Sequence, residues 1–151
     1  MTAHGRLGLN RLEAAAWVTR RTRFAVLHTT LRDWERGGLL RNQKPGRRLP
    51  CAYGVPDLIA AEVIATLRRD GAPLQRIKRA RHELSRLIPD ILDRPGVWRL
   101  AVTPKGDVVR LEDGATVLEL TGKTPGQYLF LDAGEIAREA HAALALKART
   151  A

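Results

Sequence analysis

Thr29, Arg32 and Arg36 fall three and four residues apart in the stretch HTTLRDWER. That spacing brings them to one side of a helix. A guanidinium is a planar fork of donors that keeps its charge, and it matches phosphate oxygens and the N7/O6 edge of guanine. Recognition of a polyanion is therefore the chemistry on offer. The residue sets that make and break bonds are not spaced for it. His4, His28, His82 and His141 never fall at metal-ligand spacing, and Cys51 has no cysteine or histidine partner in a zinc pattern. The one serine, Ser85, belongs to no Gly-x-Ser-x-Gly elbow. TGKTPG at 121–126 has Gly-Lys-Thr without the spacing of a phosphate loop, and reads as a turn. Glu112 and Asp113 lie at an expected hairpin tip, where solvation explains them. Neither an enzyme, a cofactor nor a metal centre is expected. Cys51 reads as a small apolar filler beside Pro50 rather than a redox switch.

The charge supports a polyanion partner. Residues 1–90 hold 18 Lys/Arg against 8 Asp/Glu, whereas residues 91–151 hold 8 of each. The whole excess of +10 lies in the first part, the pattern of a basic head on a neutral remainder. With 151 residues, 44% of them apolar, the chain can build one core or two small linked units. No apolar run approaches the roughly 18 residues of a membrane span. MTAHGRLGLN has no apolar core of a signal peptide, and a single cysteine allows no internal disulfide framework. A cytoplasmic, bacterial protein associated with the nucleoid is the expectation.

Short elements must position the arginines. Residues 1–8 lack periodicity and read as a loose arm. Residues 9–20 read as a helix with Leu9, Leu12, Ala15 and Ala16 on one face, Asn10 as cap and Glu13 completing a capping box. Residues 21–26 are ambiguous between helix and turn. A helix over 28–37 follows, with Leu27, Leu31 and Trp34 on its apolar face. Gly37-Gly38 supplies a left-handed stop, and Leu39 or Leu40 the accompanying apolar contact. A helix that short must be pinned by its neighbours. LLRNQKPGRRLPCAY, 39–53, reads as a two-stranded ribbon turning at Pro45-Gly46, with a basic tip. Helices are expected over 54–71 and 72–88, the second ended by Pro89. From residue 96 the runs VWRLAV, DVVRLE, TVLEL and YLFL read as strands, with Asp113-Gly114 as a hairpin turn, and 132–148 as a closing helix. Trp98 is a candidate interface anchor or a packing residue.

In order and spacing, residues 9–88 resemble the winged helix-turn-helix of MerR-type transcription regulators. The match rests on TLRDWERGGLL at 30–40, the basic ribbon ending in Tyr53, DLIAAEVIATLRRDG at 57–71 and APLQRIKRA at 72–80. The resemblance implies a winged helix-turn-helix over 9–90, mostly α with a β wing; with the small β-meander and C-terminal helix read from the pattern of the tail over 96–151, the expected fold class is α+β. It implies a recognition helix in the major groove of double-stranded DNA, with Thr29, Thr30 and Arg32 facing the groove and Trp34 near the backbone. The expected DNA-binding set adds Arg20, Arg21, Arg23, His28 and Arg36, and from the wing Arg41, Lys44, Arg47, Arg48 and Tyr53. Two departures are visible. The step from Glu13 to Thr30 is several residues longer than the family's, and Asp33 puts a carboxylate beside Arg32, where pairing with Arg36 or a cytosine amine would accommodate it. The expectation is a dimeric repressor on a palindromic operator, autoregulatory in the simplest case. The strand-rich tail also resembles MerR-headed antitoxins, and the alternative is a toxin–antitoxin pair whose toxin is bound through 96–148. An RNA-binding reading ranks lower, because the tail strands lack aromatic stacking positions.

Overall fold

A computed structural model of the chain describes residues 8–41, 52–94, 96–112, 114–123 and 126–150. Over these residues the fold is mixed, with six helices and a three-stranded antiparallel sheet. The helices are α1 (Arg11–Thr22), α2 (His28–Arg36), α3 (Val55–Arg69), α4 (Leu74–Asp93), α5 (Gly114–Lys123) and α6 (Ala133–Thr150). The strands are β1 (Arg99–Val102), β2 (Val108–Arg110) and β3 (Leu129–Asp132).

α1 begins where the sequence predicts. The Asn10 side chain accepts from Glu13 N–H at 2.8 Å, and Glu13 Oε1 accepts from Asn10 N–H at 2.9 Å. Its buried stripe is displaced from the predicted one, however. Ala14, Ala15, Trp17 and Val18 face inward, while Leu12 is 65% exposed and Ala16 also faces out. The ambiguous segment divides: Arg21 and Thr22 end α1, and the chain turns from Arg23. Arg23 takes a left-handed conformation, and Thr22 Oγ1 accepts Phe24 N–H at 3.2 Å. Thr19 Oγ1 meets both Val26 N–H and Val26 C=O at 3.0 Å. Two threonines of the helix thus serve backbone groups of the turn that follows it.

α3 is the central helix. Leu58, Ile59, Ala61, Val63, Ile64, Ala65 and Leu67 are buried along it, with α1, α4 and α6 packed around it. Asp57 at its start accepts Gly54 N–H at 2.9 Å. α4 runs through Pro89 rather than ending there, four residues past the predicted stop. Pro89 faces solvent, so water can serve the Ser85 carbonyl that loses its N–H donor.

The tail departs most from expectation. TVLEL lies inside α5, and Gly114 opens that helix in place of the expected hairpin turn; Asp113 lies outside the described residues. Val117, Leu120 and Thr121 are half-buried while Leu118 is 75% exposed. That is the three- and four-residue spacing of a helix, not the alternation of a strand. The sheet order is β2-β1-β3, with α5 inserted between β2 and β3, so it is no meander. β1 is central: Leu100 faces Arg110 and Leu131, and Val102 faces Val108 and Leu129. Trp98 is buried in the core, donates Nε1–H to Arg94 C=O at 2.8 Å and carries the Arg110 guanidinium 3.7 Å above its ring. Packing, and no exposed interface, accounts for it.

Both parts of the chain share one hydrophobic core, which runs from Leu9 through α3 to Ile136, Ala137 and Ala140 of α6. Polar links fasten the tail to it. The buried Arg76 of α4 donates to the carbonyls of Val102 at 3.2 Å, Thr103 at 3.0 Å and Gln127 at 2.8 Å. Gly106, at φ +100°, brings the β1–β2 turn so close to α4 that an added Cβ would lie 2.6 Å from Arg76 C=O. Lys147 of α6 reaches Gly8 C=O at 2.9 Å and Glu13 at 2.6 Å. The Lys147 hydrogen bond, with Asn10 N–H adding to it, holds the Glu13 pKa below the ordinary 4.5.

Two outcomes test this packing. Gly106→Ala should cost roughly 2–3 kcal/mol in urea unfolding, because both the backbone angle and the space are wrong for a side chain. Lys147→Gln should cost less than about 1 kcal/mol near neutral pH, as for any partly exposed pair. The Glu13 carboxyl is lowered in the folded state, so its contribution is present above the unfolded value and is lost as pH falls through the folded one. The gap between the two proteins should therefore narrow below about pH 4.5, and a gap constant down to acid pH would contradict the assignment.

Candidate nucleic-acid interface

α2 has nine residues, too few to persist without its surroundings. Leu31 and Trp34 are buried, as the sequence predicts, but the third inward residue is Glu35 and not Leu27, which is 63% exposed at the cap. Only 2% of the Glu35 side chain is exposed. Its carboxylate accepts from Arg11 Nε at 3.1 Å and from the other arm of that guanidinium at 2.6 Å. It also accepts the Tyr53 hydroxyl. Tyr53 is fully buried, and its backbone pairs antiparallel with Leu9 through bonds of 2.7 and 2.9 Å. One carboxylate thus joins the start of α1, the end of α2 and the chain just before α3. The signal was present in the sequence: a glutamate at position i+4 from Leu31, on the stripe that also holds Trp34, must be buried and so must be met by donors.

The end of α2 closes as expected. Gly38, at φ +80°, donates N–H to Glu35 C=O at 3.2 Å, and Leu39 donates to Trp34 C=O at 2.8 Å. This pair of bonds is a Schellman cap, and Leu39 and Leu40 are both buried beneath it. At the other end Thr30 Oγ1 accepts Leu27 N–H at 3.2 Å, so part of the Thr30 hydroxyl's capacity is used in capping.

Around this pinned helix the expected residues divide. His28 and Arg36 of α2 are exposed, as are Arg20, Arg23 and Arg41 on the flanking chain; Thr29, Thr30 and Arg32 are half-buried. The Nε of Arg32 is buried and has no hydrogen-bond partner among the described residues. Three others are placed inward. Trp34 and Tyr53 are in the core and present no face to a ligand. Arg21 lies over the Trp17 ring at 5.2 Å and is held by Glu62 and by Glu135 of α6, the latter at 2.8 Å. Burial works against its charge, but the two carboxylates outweigh that and raise its pKa above the ordinary arginine value. Burial pushes Glu62 up, with Arg21 opposing. Lys44, Arg47, Arg48, Cys51 and the Pro45-Gly46 turn lie outside the described residues, as does the arm over residues 1–7.

The electrostatic balance follows from those pairings. Between residues 20 and 41 there are six arginines and two carboxylates. Arg21 is matched by acids elsewhere, and Glu35 by Arg11. Five arginines remain against Asp33, which is exposed and forms no ion pair with Arg36. Of the basic residues of α4, Arg76 is used internally, Arg79 pairs with Asp107 at 2.6 Å, and Lys78 is exposed. The tail does carry one stacked aromatic pair, Tyr128 and Phe130, with ring centroids 6.1 Å apart. No cluster of metal-ligating side chains occurs among the described residues, and no helix is long and apolar enough to cross a membrane. Neither the known family models nor the curated protein sequences match this chain.

Removing donors from Glu35 should destabilise the chain in a definite order. Tyr53→Phe leaves the carboxylate with Arg11 and should cost about 1–2 kcal/mol. Arg11→Leu leaves a buried charge with only a hydroxyl and should cost roughly 2–3 kcal/mol. Denaturant titration of both variants checks it, and the reverse order would refute the account.

Proposed function

We propose that the chain is a sequence-specific, double-stranded DNA-binding transcription regulator built on a MerR-like winged helix-turn-helix. The observation that carries this reading is α2: a nine-residue helix pinned from behind by Leu31, Trp34 and Glu35, with five arginines over residues 20–41 that have no carboxylate partner among the described residues. α1, the threonine-held turn and α2 form the helix-turn-helix. α2 enters the major groove and Arg32, whose Nε lacks an acceptor among the described residues, reads a base edge with Thr29 and Arg36. Arg20, Arg23, His28 and Arg41 meet phosphates and set the register. Arg21, Trp34 and Tyr53 support this surface from within. The expected wing over 41–53, whose Lys44, Arg47 and Arg48 lie outside the described residues, completes the proposed contact with the neighbouring backbone.

One such module buries too little surface for a tight site by itself, so a homodimer on a palindromic operator in a bacterial cytoplasm completes the proposal. Repression of the protein's own promoter is its simplest output. A second reading has its own support. Leu118 is 75% exposed and Phe130 48% on the tail, two apolar side chains of the kind a partner protein covers. On that reading the protein is the antitoxin of a pair, and DNA binding autoregulates it.

Fluorescence anisotropy with the protein's own upstream DNA and a shuffled copy tests the proposal. The expected result is a preference of about a thousandfold or more at near-physiological salt, with two chains per site. Arg32→Ala should lose about 1–3 kcal/mol on the specific site while leaving shuffled DNA nearly unaffected. Equal affinity for both DNAs, or an Arg32→Ala effect within twofold, would refute it.

A further inference from the structure

Beneath the end of α2 lies a groove that the DNA reading does not use. It runs between the Schellman cap, the first turns of α3 and the second half of α4, and encloses about 460 Å³. Leu39, Leu40, Ile88 and Leu92 supply its apolar wall. Two arginines stand at it, Arg41 from the chain leaving α2 and Arg81 from α4. Neither is joined to a carboxylate among the described residues. The volume falls in the range of about 300–1,000 Å³ typical of small-molecule sites, which are likewise mostly apolar with a few polar groups that fix orientation.

Two other grooves of similar size differ in what their charges are doing. The one between α1 and α6 also holds two cations and one acid, but its Lys147 is already bound to Glu13 and Gly8 C=O, which leaves Arg20 alone, and the one over the sheet places Arg99 in register with Asp132. In the α2–α4 groove the single carboxylate is Asp57, whose Oδ2 already accepts Gly54 N–H at 2.9 Å at the start of α3. Two cations against one engaged acid leave a net positive mouth on an apolar body. We infer that this groove binds a small amphipathic carboxylate, with the acyl or aromatic part against Leu39, Leu40, Ile88 and Leu92 and the carboxylate held by Arg41 and Arg81. Charge complementarity selects an anion, and the apolar wall selects a hydrocarbon tail over a compact polar one such as phosphate.

Arg41 also belongs to the surface proposed to meet phosphate, so a bound carboxylate would compete with DNA for it. That consequence rests on the DNA reading. The site itself does not, and its test is made without DNA so that the two can fail separately.

Calorimetric titration of the full chain with dodecanoate, dodecanol and dodecyltrimethylammonium, each below its micellar concentration, tests the inference. Dodecanoate should bind with one site per chain, dodecanol at least roughly tenfold more weakly, and the cation not detectably. Arg81→Gln should weaken dodecanoate roughly tenfold, the loss of one charge-assisted contact. Arg149→Gln, an exposed change on α6 away from the groove, should leave it unchanged. Ser85→Trp fills the groove from an exposed position on α4 and should abolish binding, with circular dichroism confirming that the fold persists. Equal binding of the cation, or dodecanoate binding unaffected by both Arg81→Gln and Ser85→Trp, would overturn the assignment. So would absence of dodecanoate binding together with a Ser85→Trp chain that light scattering shows as monomer where the parent is dimer, since a second copy would then occupy the groove.

Discussion

A carboxylate as deeply enclosed as that of Glu35 survives only if donors meet it from several directions, because an unpaired buried charge costs several kcal/mol. Here the donors come from Arg11, at the start of α1, and Tyr53, just before α3. α2 itself has too few residues to nucleate and hold its own hydrogen bonds. Its position is therefore set by that one acid, together with Leu31 and Trp34. Everything displayed on its other side, from His28 to Arg36, takes its place from this internal anchor. The same enclosure removes Glu35 from the local charge balance, and this leaves the exposed surface of residues 20–41 positive.

A second constraint comes from the tail. The neutral segment after residue 96 is packed into the same core as the basic head, through Ile136, Ala137 and Ala140 against α3. Its acids are not distributed idly. Glu135 joins Glu62 in holding Arg21, and Asp107 holds Arg79. Arg76 is served by carbonyls alone, and burial lowers its pKa from the ordinary arginine value without discharging it. Some of the basic head is thus spent inside the molecule, and the arginines left outside include those along α2 and its flanks, with Arg68 on α3 and Arg86 on α4. The groove between α2 and α4 sets Arg41 and, from α4, Arg81 against an apolar wall.

Much of the head was legible from the sequence, because its signals are local. The capping box at Asn10 and Glu13, the glycine stop at Gly37-Gly38 and the apolar run of α3 each involve residues within a turn or two of one another. Short-range hydrogen bonding and side-chain periodicity decide them before any tertiary contact forms. TVLEL misled for the same reason. Its β-branched and leucine content favours a strand, but a five-residue run carries little local preference, and in the folded chain Val117, Leu120 and Thr121 are half-buried at helical spacing. Pro89 misled because a proline's cost depends on whether water can reach the carbonyl it leaves unserved.

The sequence by itself determined which segments are helices in the first ninety residues, where most of them are capped, and that the net charge of +10 resides there. It also placed a short helix bearing Thr29, Arg32 and Arg36 between two turns. Only the tertiary structure decided which arginines are free to meet a partner. Arg21 and Arg36 have the same formula and similar surroundings in the chain, yet one faces Glu62 and Glu135 and the other faces solvent. The reason is distance along the chain: Glu62 is 41 and Glu135 114 residues from Arg21. No local rule reaches that far, so the availability of a charge is a property of the packed core and not of its neighbours in sequence.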